Sequence, residues 1–382
     1  MPKVLLIPHL ADLSGAQQVL LDVAAAIDPA KYEIEVICPA EGPFCQVLNG
    51  KIAWRIIPNP TVSVAEEKTK SGRLRLALAR LRYILTLRKY IASARPDIVF
   101  INTIINIYAG IAAKFAGARV IYYVHEIFPL TRRNRFKYWI VEKTANWILG
   151  PSPANAAMFS RKAQIKFTVL PYGIDTEPFE YSAEQRREVR VKYGIPPEQI
   201  VIGTMCFITP RKGVDDFLKA ALIAHRQAPE SVFLIVGSPD ASSQDYFAKL
   251  EAYARDNEMG GYVRFLPHTN NVSEMFALFD MFALASLSES TPRVILEAMA
   301  SSIPVIATAV GGVASMVEDG MSGRLVGPRQ PVQLAQAMLE LLHDEARRKE
   351  MGRRGLQKVK QYSRGAFEQA IHAALDTVVK AP

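Results

Sequence analysis

The sequence predicts an α/β protein built from two doubly wound domains facing a central cleft. Three observations predict it. Short β-branched runs alternate with helical patterns from one end of the chain to the other. Those runs are nearly continuous in apolar residues, as strands are in parallel sheets covered by helices on both faces. The length, 382 residues, suits two to three domains with sizeable cores. With 49% hydrophobic and 22% charged residues, the composition is globular and excludes a disordered chain.

In chain order, the expected strands of the first half are KVLLIP (3–8), EIEVIC (33–38), WRII (54–57), DIVFIN (97–102), RVIYYV (119–124), WILG (147–150) and FTVL (167–170). Helical spacing falls between them at 15–27, 72–94, 106–116, 132–146 and 153–162. The second half repeats the rhythm with IVIGTMC (200–206), VFLIVG (232–237), YVRFL (262–266), MFALAS (281–286), PVIAT (304–308) and GRLV (323–326). A last helix is expected at 363–380. The seam is VLPYGIDTEPFE (169–180), which ends a strand, carries Pro and Gly, and leads into the charged segment Glu184 to Lys192. In open parallel sheets ligands bind beyond the carboxyl ends of the strands, so two such sheets side by side make the default site.

Three scattered cysteines, Cys38, Cys45 and Cys206, supply neither a disulfide framework nor a paired zinc motif. A cytoplasmic location is the simplest expectation, and no signal peptide is read at the start. The apolar stretch Ile98 to Val124 is interrupted by Asn102, Thr103, Asn106, Lys114 and Arg119, and reads as strand–helix–strand rather than a membrane span. The net charge is +9 and unevenly spread: residues 1–180 hold 23 basic and 14 acidic residues, residues 181–382 hold 23 of each. An anionic partner should therefore meet the first half. Residues 68–95 carry Lys68, Lys70, Arg73, Arg75, Arg80, Arg82, Arg88, Lys89 and Arg95 on a helical apolar pattern, and 132–137 add Arg132, Arg133, Arg135 and Lys137. A basic amphipathic helix suits an anionic membrane surface; the same pattern also fits a solvated face with its other side in the core. No nucleic-acid reading unit is seen.

Four segments carry chemistry. In SESTPRVILEAMASSIPVIATAVGG (288–312), Thr291 suits the cap and Pro292 the first position of a helix. Glu289 then precedes that helix, and Glu297 lies about 8 Å along it. Two carboxylates thus border a helix start, whose free N–H groups and dipole suit a phosphate. Spacing alone equally fits two unrelated surface acids. In GTMCFITPRKGVDDFLKA (203–220), Arg211 and Lys212 follow a strand and can neutralise a diphosphate, although an exposed basic turn reads the same way. In LADLSGAQQVLLDVAAAI (10–27), Ser14 and Gly15 open a helix where a backbone can approach a ligand. In VIYYVHEIFP (120–129), His125 and Glu126 lie at a strand's carboxyl end. The dinucleotide fingerprint G-x-G-x-x-G and the P-loop are absent, and no D-x-D pair calls for a metal.

Together these motifs resemble glycosyltransferase family 4, the retaining GT-B glycosyltransferases, over nearly the whole chain. The likeness is strongest from Ile200 to Val326, where E-x-x-P-x-x-x-x-E-A-M-A and P-V-I-A-T-x-x-G-G fall in family order. The resemblance implies a GT-B fold whose last helix crosses back. The N-terminal acceptor domain is then 1–171 plus 363–382, and the donor domain 172–362. It implies that Lys212 holds the donor diphosphate, with Arg211 beside it, and that Glu289 contacts the donor sugar. Glu297 would bind the ribose, and Thr291, Arg293, Gly311 and Gly312 would complete the donor site. Gly15 would lie near the phosphates, and His125 near the sugar. It further implies a UDP- or GDP-sugar donor, no metal or cofactor, front-face attack with the leaving phosphate taking the acceptor proton, and a glycan or lipid-linked acceptor in bacterial surface polysaccharide synthesis, at the inner face of the membrane. The chain departs from the family pattern at Phe207, where an Arg is usual, at Pro292 and at Ser315. Pro292 reads as a subfamily mark, while Phe207 and Ser315 keep a non-catalytic glycan-binding or scaffold subunit open. Among enzymes the alternative is another GT-B chemistry, such as nucleotide-sugar epimerisation or glycan phosphorolysis, the last of which would need a Lys for a bound cofactor and a longer chain.

Overall fold

A computed structural model describes residues 1–60 and 69–380; Lys68, Ala381 and Pro382 lie outside the described residues. Among the described residues, thirteen strands form two sheets. The first holds β1 (Lys3–Ile7), β2 (Glu33–Cys38), β3 (Ala53–Ile56), β4 (Ile98–Asn102), β5 (Arg119–Tyr123), β6 (Trp147–Gly150) and β7 (Phe167–Val169), in spatial order β3-β2-β1-β4-β5-β6-β7. The second holds β8 (Ile200–Met205), β9 (Ser231–Val236), β10 (Val263–Leu266), β11 (Met281–Leu284), β12 (Val305–Thr308) and β13 (Gly323–Val326), in order β10-β9-β8-β11-β12-β13. Every ladder is parallel. The central strands are buried on both faces, β4 and β9 along their whole length. That is why their sequences do not alternate.

Both sheets reverse direction after their first strand. The chain runs outward from β1 to β3, then resumes at β4 on the other side, and β8 to β11 do the same. Such a reversal parts the loops after the two flanking strands and leaves a crevice at their carboxyl ends. Each unit therefore has its own switch point, β1/β4 in one and β8/β11 in the other.

The chain divides into Met1–Gly173 with Gly365–Pro382, and Ile174–Arg364. The C-terminal helix Arg364–Lys380 belongs to the first unit for most of its length. It buries Phe367, Ile371, Leu375 and Val378. Asp376 accepts from the Tyr32 hydroxyl at 2.5 Å, and Arg119 donates to the Val379 carbonyl at 2.6 Å.

Three local expectations change. The single helix expected at 153–162 is two short ones, Pro153–Ala156 and Arg161–Gln164. Ser160 breaks the run because its hydroxyl caps the second, accepting from Ala163 N–H. A further helix, Pro43–Leu48, lies where no helix was expected; six residues are too few for a period to register. The helix Lys70–Ala94 has two apolar stripes rather than one. Leu76, Tyr83, Leu87 and Ile91 enter the core, while Leu74, Leu78, Leu81 and Leu85 are half or more exposed.

Candidate functional site

The second unit's site grows from the two loops beside its switch point. After β8 the chain makes one tight turn at Pro210–Lys212, then passes Gly213 at φ +64° into the helix Val214–His225. Gly213 is required twice over: the left-handed backbone disfavours a side chain, and a Cβ there would sit 2.1 Å from the Ala285 carbonyl. This close approach ties the first loop to the one after β11. Leu287 N–H donates to the Arg211 carbonyl at 2.8 Å and fixes the same junction.

Glu289 is the hub. Its carboxylate takes Lys212 Nζ at 2.5 Å, Arg211 Nη1 at 3.3 Å and the Ser286 hydroxyl at 2.7 Å. Only 7% of its side chain is exposed. Burial raises its pKa, but the charges of Lys212 and Arg211 and the two hydrogen bonds outweigh it, so the net shift is downward. Glu289 is thus held ionised, accepting from three donors. Arg211 also donates to the Ser288 carbonyl at 2.6 Å. The two cations expected to face a diphosphate therefore converge on one carboxylate.

The helix that follows is Arg293–Ala300, one residue later than expected. Pro292 is its cap, not its first residue, and Thr291 makes no cap bond. A proline at either position loses no helical hydrogen bond, so the sequence does not separate the two. The Thr291 hydroxyl is instead buried with no hydrogen-bond partner among the described residues. Glu297 is the fifth residue of the helix, not the sixth after a Thr cap. Burial raises its pKa and Arg293 partly opposes this. Gly311, at φ +55°, and Gly312 follow β12, and Gly312 N–H donates to the Ser290 carbonyl at 2.7 Å, joining that turn to the Glu289 loop. Phe207 lies exposed in the loop after β8 and stacks on His268 with centroids 5.8 Å apart.

The first unit's site is quieter. His125, just after β5, is buried between two partners. Its Nε2 meets Asn102 Oδ1 at 2.7 Å and its Nδ1 the Tyr172 hydroxyl at 3.0 Å. Burial lowers its pKa to about 3, with His9 adding to the effect, so the ring is neutral. Asn102 also donates to the Ala16 carbonyl at 2.8 Å, which ties His125 to the Gly15 turn. A Cβ on Gly15 would meet only open space. Burial raises the Glu126 carboxyl to about 7, against the lowering effect of backbone donors such as Ile104 N–H at 3.2 Å. Ser286, Asn102 and Tyr172 were not singled out from sequence. Each is a common residue type; Ser286 lies three residues from Glu289, whereas Asn102 and Tyr172 meet His125 from 23 and 47 positions away, which nothing local marks.

The family model described as "Glycosyltransferase Family 4" matches residues 13–178, and "Glycosyl transferases group 1" matches residues 185–358. The chain is 34% identical over 210 residues to a D-inositol 3-phosphate glycosyltransferase of Corynebacterium urealyticum, covering 53% of this chain and 49% of that one. It thus spans about half the length of that relative. Over 82% of this chain and 81% of the other it is 24% identical to the UDP-Gal:alpha-D-GlcNAc-diphosphoundecaprenol alpha-1,3-galactosyltransferase of Escherichia coli. The crystal structure of Anabaena HepE in complex with UDP-glucose superimposes with a TM-score of 0.83 at 21% identity, over 99% of this chain and 100% of that one. That likeness is one of fold, GT-B. With one family model on each unit and the two together covering most of its length, the chain belongs to glycosyltransferase family 4.

Proposed function

We propose that this chain moves a sugar from a UDP- or GDP-sugar to a lipid-linked glycan acceptor at a membrane surface, in bacterial surface polysaccharide synthesis. The transfer retains configuration at the anomeric carbon and uses no cofactor or metal. The Lys212–Glu289 pair with Arg211 beside it carries the reading. Two cations share one carboxylate at the carboxyl edge of a parallel sheet, where a diphosphate can draw them off. Lys212 and Arg211 then neutralise the leaving group, the electrostatic task of the reaction. Glu289, already ionised, is freed to accept hydrogen bonds from the sugar hydroxyls. Glu297 and the unpartnered Thr291 hydroxyl are suited to the ribose side of the donor, with Arg293, Gly311 and Gly312 around it. His125, neutral and braced, and Gly15 are proposed to serve the sugar and the phosphates. In the step itself the bond from the anomeric carbon to the diphosphate oxygen breaks. The acceptor oxygen bonds on the same face, and its proton passes to the leaving phosphate.

The relatives support this choice of substrates. HepE binds UDP-glucose, and the name of the Escherichia coli relative states a UDP-Gal donor and a diphosphoundecaprenol-linked acceptor. No described helix is long and apolar enough to cross a membrane. The exposed stripe of Leu74, Leu78, Leu81 and Leu85 supports docking on one. At about 100° per residue the four leucines fall on one line, with Arg75, Arg82 and Lys89 on one flank and Arg73, Arg80 and Arg88 on the other. An apolar line between cations suits the interface of an anionic bilayer. Phe136 and Trp139, stacked and exposed beside Arg132 and Arg135, add a second apolar patch.

Incubation with UDP-, GDP- and ADP-sugars should release nucleotide from one of them. Silence across the panel, with no thermal shift by any nucleotide, would favour the scaffold reading. The anomeric configuration of the product by NMR tests retention. Vesicles containing phosphatidylglycerol should co-sediment the protein, and Leu78→Ser with Leu81→Ser should abolish this without lowering the thermal midpoint; no wild-type binding at moderate salt rules out docking.

A further inference from the structure

The second unit has a cavity of about 470 Å³ that no part of the transfer reaction uses. It lies at the opposite edge of the sheet from Lys212. Asp280 immediately precedes β11 and Pro304 immediately precedes β12, so both mark the amino ends of strands, whereas the Lys212 and Glu289 loops follow the carboxyl ends of β8 and β11. Strands of four to six residues separate the two edges by roughly 13–20 Å. The cavity cannot be an annex of the donor site.

Its walls are strongly cationic. The helix Ala183–Lys192 contributes Arg186, Arg187 and Arg190, and the helix Glu345–Val359 contributes Arg348 and Lys349. Five cations face two carboxylates, and those two are already engaged. Asp280 takes Arg190 at 2.6 Å, Arg186 at 3.6 Å and Val201 N–H at 2.8 Å. Glu345 takes Lys349 at 2.6 Å. Arg187 has no ion-pair partner among the described residues, and Arg348 spends its Nη1 on the Leu341 carbonyl. The Arg190 Nε is buried without a hydrogen-bond acceptor. Burial lowers the Arg186 pKa, Asp280 offsets part of this, and Arg190 lowers it further. Arg186 and Arg190 share the single carboxylate of Asp280, so the cations outnumber the anions and Arg190 keeps one buried donor unsatisfied.

The remaining wall is apolar, from Val191, Ile195 and Ile303. The volume is within the range of small-molecule sites and well above that of one phosphate ion. We propose that this cavity is a second binding site, for a small organic phosphate whose phosphate meets the arginines while its body lies on the apolar wall. Arginine favours this class because its planar fork matches phosphate oxygens two at a time. The cavity also contacts Ser302 and Ile303, in the turn that ends the helix carrying Glu297, so its occupant touches an element of the donor site from behind.

Calorimetry with glucose 6-phosphate, AMP and inorganic phosphate tests this, with and without saturating UDP. At least one organic phosphate should bind saturably, more tightly than inorganic phosphate, and UDP should not displace it. Arg187→Gln and Lys349→Gln, both at exposed positions, should each weaken binding about tenfold or more, since a charged hydrogen bond is lost. Lys249→Gln, an equal loss of charge on another exposed helix face, should leave it unchanged. Absence of saturable binding, displacement by UDP, inorganic phosphate binding as tightly as the esters, or indifference to both Gln variants would each overturn the site. The thermal shift with UDP alone is read separately and reports on the donor site only.

Discussion

Two carboxylates follow strands of parallel sheets, one in each unit, and their pKa values move in opposite net directions. Glu126, after β5, is raised to about 7; Glu289, after β11, is lowered. Desolvation pushes both upward. The difference is a cation within contact. Lys212 stands 2.5 Å from Glu289, whereas Glu126 takes the Ile104 N–H at 3.2 Å. Two units of the same strand order thus hold opposite electrostatics: neutral and braced in the first, ionised and exchangeable in the second. One short loop, Pro210–Gly213, makes the difference.

Lys212→Ala breaks that contrast most sharply. Glu289 should then behave as Glu126 does, with its pKa rising. Removing one partner of a buried pair costs about 3–5 kcal/mol, and urea unfolding should show it. Adding Glu289→Gln should return most of the stability while transfer stays down by about 10²–10³-fold in kcat. If the single variant is as stable as the wild type, the cluster is not a buried ion pair.

Glu126 is tested by pH. Its folded pKa, about 7, is above the ordinary value of 4.5. The unfolded chain therefore gives up this proton first. The stabilising contribution is full below pH 4.5, falls between 4.5 and 7, and is gone above, for a total of about 3 kcal/mol. Glu126→Gln should remove this slope from the unfolding free energy. A slope that persists assigns the titration to another group.

The third effect is smaller and confined to the second unit. Glu297→Ala should raise KM for the donor roughly 10–100-fold, the loss of one charged hydrogen bond, with little change in unfolding. An unchanged KM would separate Glu297 from the donor. The smallest is Thr291→Val. It removes a buried hydroxyl that has no partner, so the free protein should gain about 1 kcal/mol while donor affinity falls. Loss of stability would mean that the hydroxyl is satisfied.

Much of the fold was legible, and for a plain reason. Strands buried on both faces, such as IVFIN and SVFLIV, are apolar without alternation, and a helical period separates them. That signal needs no long-range knowledge. The helix boundary at Pro292 was not legible, because proline is tolerated on either side of a helix start. Nor was the second stripe of the helix Lys70–Ala94, since its leucines satisfy helical spacing whether they meet core or water. Glu289 and Lys212 were each visible as residues of interest, but their pairing was not, since they stand 77 positions apart.

By itself the sequence determined the alternation of strands and helices, the two parallel sheets, and which loops carry ionisable groups. These are local consequences of periodicity, proline and glycine. Strand order was left to the tertiary structure, and with it which loops meet. It set Lys212 against Glu289 while giving Glu126 backbone donors and only the weaker pull of Lys137, and so decided which carboxylate keeps its charge. The same assembly gathered five cations from two distant helices around one cavity. Charge in a protein interior depends on distance and desolvation, and both are properties of the folded chain rather than of any segment.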